Sequence, residues 1–224
     1  MSDIALFCRE AGAGEPLILL HGNGGSSDTF ARQMEPFAAR YHVYAIDTRG
    51  HGQSPRGTAD FSLRQFAADL RDFMNARAIP TAHLLGFSDG GNIALLFALR
   101  WPDRVRSLIL NGANLRPSGM CFVPWMQIDF AYLATGLTRR ASHEHELLRL
   151  MATQPHISNA QLRGLRTPAL VLAGTHDLIR ASHTRLIAQK LPDAELCFLP
   201  GSHSIVEENS AAYSERVLAF LSNH

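Results

Sequence analysis

The sequence predicts an α/β fold: a doubly wound, mostly parallel sheet with a short helical cap. Short apolar runs alternate with helix-period segments, and each run stops at a Gly-, Asp- or Ser-rich turn, as strands feeding helices do. Several runs (LILL, LIL and ALVLA) are apolar throughout, the pattern of parallel strands covered on both faces. One long stretch, 114–160, contains no clear strand and reads as an insertion.

In chain order, strands are expected at 4–8, 17–20, 43–46, 83–87, 105–110, 169–173 and 195–199. Helices are expected at 30–40, 63–78, 90–100, 185–191 and 211–221. Within the insertion, Phe122, Met126, Phe130, Leu133 and Leu137 fall at i, i+4, i+8, i+11 and i+15, one apolar face of a helix beginning near Pro124. A second helical segment follows at about 142–152. Lying between two strands, the insertion is expected to cap the strand ends, where ligands enter open α/β sheets. The division is thus a core at 1–113 and 161–224 and a cap at 114–160.

Composition narrows the class. A chain of 224 residues, 46% hydrophobic and 18% charged, suits one domain and needs no disulfide or metal staple. Cys8, Cys121 and Cys197 are odd in number and form no CxxC pair, so reduced, small buried thiols in a cytoplasmic setting are expected. With 21 Lys+Arg against 20 Asp+Glu, the net charge of +1 argues against nucleic acid, anionic membrane or acidic partners. MSDIALFCRE has no basic region followed by an apolar one, and no apolar run approaches the ~18 residues of a membrane span. A small metabolic enzyme fits these bounds.

The sharpest chemical signal is Gly86-Phe87-Ser88-Asp89-Gly90-Gly91, set between a strand run and a helix. A G-x-S-x-G elbow needs that context, because its serine sits on a strained turn and its glycines let neighbouring backbone pass. The helix that follows aims its N-terminal N–H groups at the same place. A hydroxyl needs a base, and the base an orienting carboxylate. His203, in the loop after the last strand, and Asp177, directly after the strand LVLA, complete the order Ser, Asp, His.

Rivals have plainer readings. His21 and His51 lie in glycine-rich turns, His83 starts a buried strand, and His143 and His145 stand on different helix faces. His176 neighbours Asp177 too closely for triad geometry. Asp193 sits at the wrong end of its strand, and Asp47 is expected to organise its loop through backbone N–H groups. HGNGGSS, after an apolar strand, lacks the G-K-[ST] ending of a phosphate loop; the backbone N–H groups of Asn23 and Asp89 are assigned as oxyanion donors.

With HGNGGS, DTRGHGQS, GFSDGG, GTHD and PGSHS in this order, the chain resembles the α/β-hydrolase superfamily over nearly its whole length. The resemblance implies Ser88 as nucleophile, Asp177 as acid, His203 as base, Asn23 and Asp89 as oxyanion donors, residues 114–160 as lid, and no cofactor or metal. Strand 4–8 looks like the family's second, so the first is expected to be absent. The Ser-Asp-Gly-Gly run resembles a valacyclovir hydrolase-like branch of small esterases. Asp89 either faces the pocket, favouring a cationic or hydrogen-bond-donating substrate group, or points to solvent or an arginine. Trp125 is a second candidate contact to substrate, lining the pocket or packing the lid. The implied activity is hydrolysis of a small carboxylic ester, lactone or thioester. Carbon–carbon bond hydrolysis, a perhydrolase, or a ligand receptor on the same scaffold remain open; oligomeric state is not readable.

Overall fold

The computed structural model describes residues 2–224. Its seven strands are β1 (Cys8–Ala11), β2 (Pro16–Leu20), β3 (His42–Ile46), β4 (Ala82–Phe87), β5 (Val105–Asn111), β6 (Ala169–Gly174) and β7 (Ala194–Leu199). They form one sheet in the order β1-β3-β2-β4-β5-β6-β7, parallel except for the antiparallel pair β1–β3. The one antiparallel strand, β1, is also an outer edge of the sheet.

Alternate residues of each apolar run serve two cores. On one face Ile18 and Leu20 of β2, Leu108 and Leu110 of β5 and Val171 of β6 pack under α2 (Leu63–Ala76) and α3 (Asp89–Arg100). On the other, Leu17, Leu19, Ile109, Leu170 and Leu172 meet α1 (Ala31–Ala38), which carries Phe37, and the C-terminal helices. Both sides of β2, β5 and β6 are therefore apolar. Each such leucine stabilises by about 1.5–3 kcal/mol on burial.

Between β5 and β6 run α4 (Phe122–Thr138), α5 (His143–Thr153) and α6 (Asn159–Gly164); α7 (Ala181–Lys190), α8 (Ile205–Glu208) and α9 (Ser210–Leu221) complete the chain. Leu150 of α5 and Leu162 of α6 join the sheet's own core. No helix among the described residues is long and apolar enough to cross a membrane.

Three expectations need correction. The first strand is not 4–8 but Cys8–Ala11, a half-exposed edge that carries Arg9 and Glu10, because its place is set by pairing from Cys8↔Ile46 to Ala11↔Val43 rather than by apolarity. The apolar stripe of α4 is not packed down: the helix has no buried residue, and Phe122, Met126, Phe130, Leu133 and Leu137 face water. It is apolar nearly all round, so periodicity could not say which side faces inward. The inward side carries Tyr132, stacked on His145, and Thr135, whose Oγ1 lies 3.0 Å from His145 Nδ1. The three cysteines are free thiols, but half-buried rather than buried.

Helices α6 and α8 were not predicted, being too short for periodicity to register. The capping box of Ser158 and Gln161 was the available signal for α6.

Buried imidazoles make the fold acid-sensitive. His183 Nε2 accepts the Leu115 N–H at 3.0 Å, and burial, with Arg116 and Arg180 nearby, pushes its pKa down to about 4. Burial beside His21 likewise pushes His51 down to about 4. The unfolded chain binds these protons first, near pH 6.5. Their stabilisation is thus whole above that pH and is lost as pH falls through about 4, up to about 3 kcal/mol for each group. Urea unfolding at pH 7.5, 5.5 and 4.5 should show falling stability, with a smaller fall in His183→Gln. An identical fall in the variant would exclude His183 as a source.

Candidate active site

Three loops at the C-terminal edge of the sheet bring the predicted groups together. After β4 the chain turns sharply into α3 at Ser88, whose φ of 55° and ψ of −119° are strained for a residue with a side chain, by about 1–3 kcal/mol. The Ser88 N–H donates to Asn111 O at 2.7 Å. A Cβ on Gly86 would lie 2.2 Å from Gly90 O, and one on Gly90 2.0 Å from Leu20 O, so the elbow closes only with glycine at both positions.

Asp177 follows β6 with its side chain buried. Its carboxylate accepts from the Ile179 N–H at 2.8 Å, the Gly174 N–H at 3.3 Å and His203 Nδ1 at 2.7 Å. That contact requires the proton on Nδ1 and leaves the Nε2 lone pair free. His203 stands on the loop after β7, held by Glu208, whose carboxylate accepts Ser202 N at 2.8 Å and Ser202 Oγ at 2.6 Å. Beneath the imidazole is Gly112, at φ +60°; a Cβ there would sit 2.6 Å from His203 Cε1.

Ser88 and His203 line one cavity of about 220 Å3. No hydrogen bond joins Ser88 Oγ to His203 here; the Phe87 ring lies 4.9 Å from the imidazole, centroid to centroid. Asn23, Asp89, Asn114 and Gln154 form a polar part of the wall, while Met120, Ile128, Leu178 and Ile179 form an apolar part. Trp125 is not among the lining residues; Ile128 of the same helix is. A second cavity of about 260 Å3, at Arg64, Leu96 and Trp101, holds none of the predicted groups.

The backbone N–H groups of Asn23 and Asp89 have no partner among the described residues. One side chain ties them together: Asn23 Nδ2 donates to Asp89 Oδ2 at 3.0 Å and to Leu147 O of α5 at 3.2 Å. Asp89 is buried, faces the cavity and has no ion pair among the described residues, so neither the solvent nor the arginine alternative holds. Burial pushes its pKa up, opposed by the Asn23 and Asn92 amides and by His203. Asn92 Nδ2 donates to Asp89 Oδ1 at 3.1 Å and to Asn114 Oδ1 at 2.9 Å, and Asn92 Oδ1 accepts from the Asn114 N–H at 2.9 Å.

Sequence reasoning missed this amide network and Gly112. The only hints were a polar Asn92 beside an apolar helical run and an Asn-Gly turn at 111–112. The rival residues are structural: Asp47 accepts from the Ser27 and Gln53 N–H groups at 2.6 and 2.8 Å, His21 Nε2 accepts the Thr48 N–H at 3.0 Å, and His176 is exposed. His143 meets Phe61 and His51, whereas His145 meets Tyr132.

The family model described as "alpha/beta hydrolase fold" matches residues 15–146. A Caulobacter sp. (strain K31) protein named "Putative carbamate hydrolase RutD" is 30% identical over 243 aligned positions, which cover 93% of this chain and 91% of that one. Among solved structures, a hydrolase from Pseudomonas aeruginosa PA01 aligns with a TM-score of 0.82 at 25% identity over 98% of both chains. The enol-lactonase from Burkholderia xenovorans LB400 aligns at 0.81 with 23% identity, covering 98% of this chain and 97% of that one, a likeness of fold.

Proposed function

The chain belongs to the α/β-hydrolase family, and from that premise we propose that it is a serine hydrolase cleaving a small carboxylic ester, lactone or thioester through an acyl-enzyme. The observation that carries this reading is the 2.7 Å contact between Asp177 and His203, made on the cavity that Ser88 lines. His203 Nε2 takes the Ser88 proton as Oγ attacks the carbonyl, and Asp177 holds the imidazole and offsets its charge. The Ser88–His203 hydrogen bond closes when substrate binds, as catalytic contacts commonly tighten. The N–H groups of Asn23 and Asp89 meet the oxyanion, each worth roughly 3 kcal/mol of barrier. His203 returns the proton to the leaving group, then activates the water that releases the acid.

The inserted helices act as the cap, contributing Ile128, Met151 and Gln154 to the wall. A cavity of about 220 Å3 lies below the usual ~300–1,000 Å3 of ligand pockets and favours a short acyl group. Hydrolysis of p-nitrophenyl esters of increasing acyl length tests this, with kcat/KM expected to fall beyond short acyl chains. No turnover of any ester, lactone or thioester, together with tight ligand binding, would favour a receptor instead.

Asp89 recognises a cationic or hydrogen-bond-donating group, since its buried carboxylate has amide donors but no cation of its own. Asp89→Asn is expected to lower kcat/KM for an α-amino ester about tenfold more than for the deaminated analogue, the effect of one hydrogen bond to a charged group. Equal losses on both substrates would remove Asp89 from substrate recognition.

A further inference from the structure

We propose that the outward face of α4 is a self-association surface, on which a second copy of this chain docks its own α4 to form a two-fold dimer. Six of the seven exposed large hydrophobic residues among those described sit on this one helix: Phe122 (67%), Val123 (62%), Met126 (50%), Phe130 (75%), Leu133 (60%) and Leu137 (89%). Scattered apolar residues on a surface are ordinary, but a contiguous stripe marks a contact site. At roughly 150–250 Å2 for a whole large side chain, these exposed fractions leave about 600–1,000 Å2 of apolar surface. That exceeds the ~300–600 Å2 of the largest patch on a typical monomer. Doubled across a two-fold axis it gives about 1,200–2,000 Å2, the size of a standard stable interface.

The stripe suits a helix partner. Phe122, Met126 and Phe130 form one i+4 ridge, with Leu133 and Leu137 beside it, over about 22 Å of helix. Asp129 is the only charged residue of the helix, so two copies meet without a row of like charges. A membrane-surface helix instead opposes its apolar face with a Lys- and Arg-rich polar one. The opposite side of α4 carries Ile128, which lines the cavity, and Tyr132, which stacks on His145. Of the two arginines that follow the helix, Arg139 pairs with Glu144. The observations therefore favour a second copy over a lipid surface, and they stand independently of the catalytic reading.

Sedimentation-velocity ultracentrifugation of the full chain at micromolar concentrations tests the proposal. The expected result is a species of twice 24.6 kDa. Phe130→Glu should convert it to the monomer with an unchanged circular dichroism spectrum, while Leu196→Glu, at the exposed residue on β7, should leave the dimer intact. If Phe130→Glu does not fold, Leu137→Glu at the most exposed position gives the same readout. A wild-type monomer would overturn the proposal, as would a dimer that survives both α4 substitutions. So would a monomer that floats with phosphatidylcholine–phosphatidylglycerol vesicles.

Discussion

Ser88→Ala is expected to lower kcat for a short p-nitrophenyl ester by at least about 10^4-fold, leaving the residual rate that oxyanion donors and binding supply. Ser88 is the only hydroxyl or thiol among the residues lining the cavity, so no neighbour can take over the attack. Stability should barely change, because alanine has the same Cβ and keeps the same strained φ of 55°. Ser88→Gly separates the two roles of this position. It should be equally inactive yet more stable by about 1–2 kcal/mol, since glycine adopts a positive φ without penalty. Denaturant unfolding of the three proteins measures this directly. A Ser88→Gly variant no more stable than Ser88→Ala would mean that the elbow is not strained.

Asp177→Asn is expected to lower kcat by about 10^4-fold with the fold retained. The Asp177 carboxylate accepts from His203 Nδ1, and this fixes the tautomer with its lone pair on Nε2. An amide can present its NH2 group instead, shifting the proton to Nε2 and removing the base. Oδ1 also accepts the Ile179 N–H at 2.8 Å, so an NH2 group turned to the imidazole leaves that N–H without its acceptor. A stability loss of about 1–3 kcal/mol is therefore expected beside the loss of kcat, while the Gly174 N–H keeps the oxygen at the Oδ2 position. Steady-state kinetics beside circular dichroism test this. A loss below tenfold would show that Asp177 does not orient the base.

What the sequence revealed depended on how local the constraint was. The elbow was legible because strand, Ser88 and helix adjoin in the chain and the glycines are demanded by contacts as short as 2.0–2.2 Å. Asp177 and His203 were legible because each directly follows an apolar run and the order of the three is restrictive. The doubly wound sheet was legible because β2, β5 and β6 are buried on both faces.

What escaped depended on pairing across the chain. β1 lies at Cys8–Ala11 because β3 offers its edge there, a fact that no pattern within the segment records. Gly112 serves His203, ninety-one positions away, by leaving room for the imidazole. The Asn23–Asp89–Asn92–Asn114 network joins loops after three different strands. Asp89 illustrates both sides: its place after the nucleophile marked it out, but only the fold decided between cavity, solvent and arginine.

The central claim is that Ser88 is a nucleophile activated by His203, and covalent capture tests it most directly. The full chain is treated with a fluorophosphonate, digested, and the modified residue located by mass spectrometry. A single phosphonyl group on Ser88, absent from Ser88→Ala and greatly slowed in His203→Ala, is the predicted result. No adduct, or an adduct that persists in Ser88→Ala, would contradict the assignment.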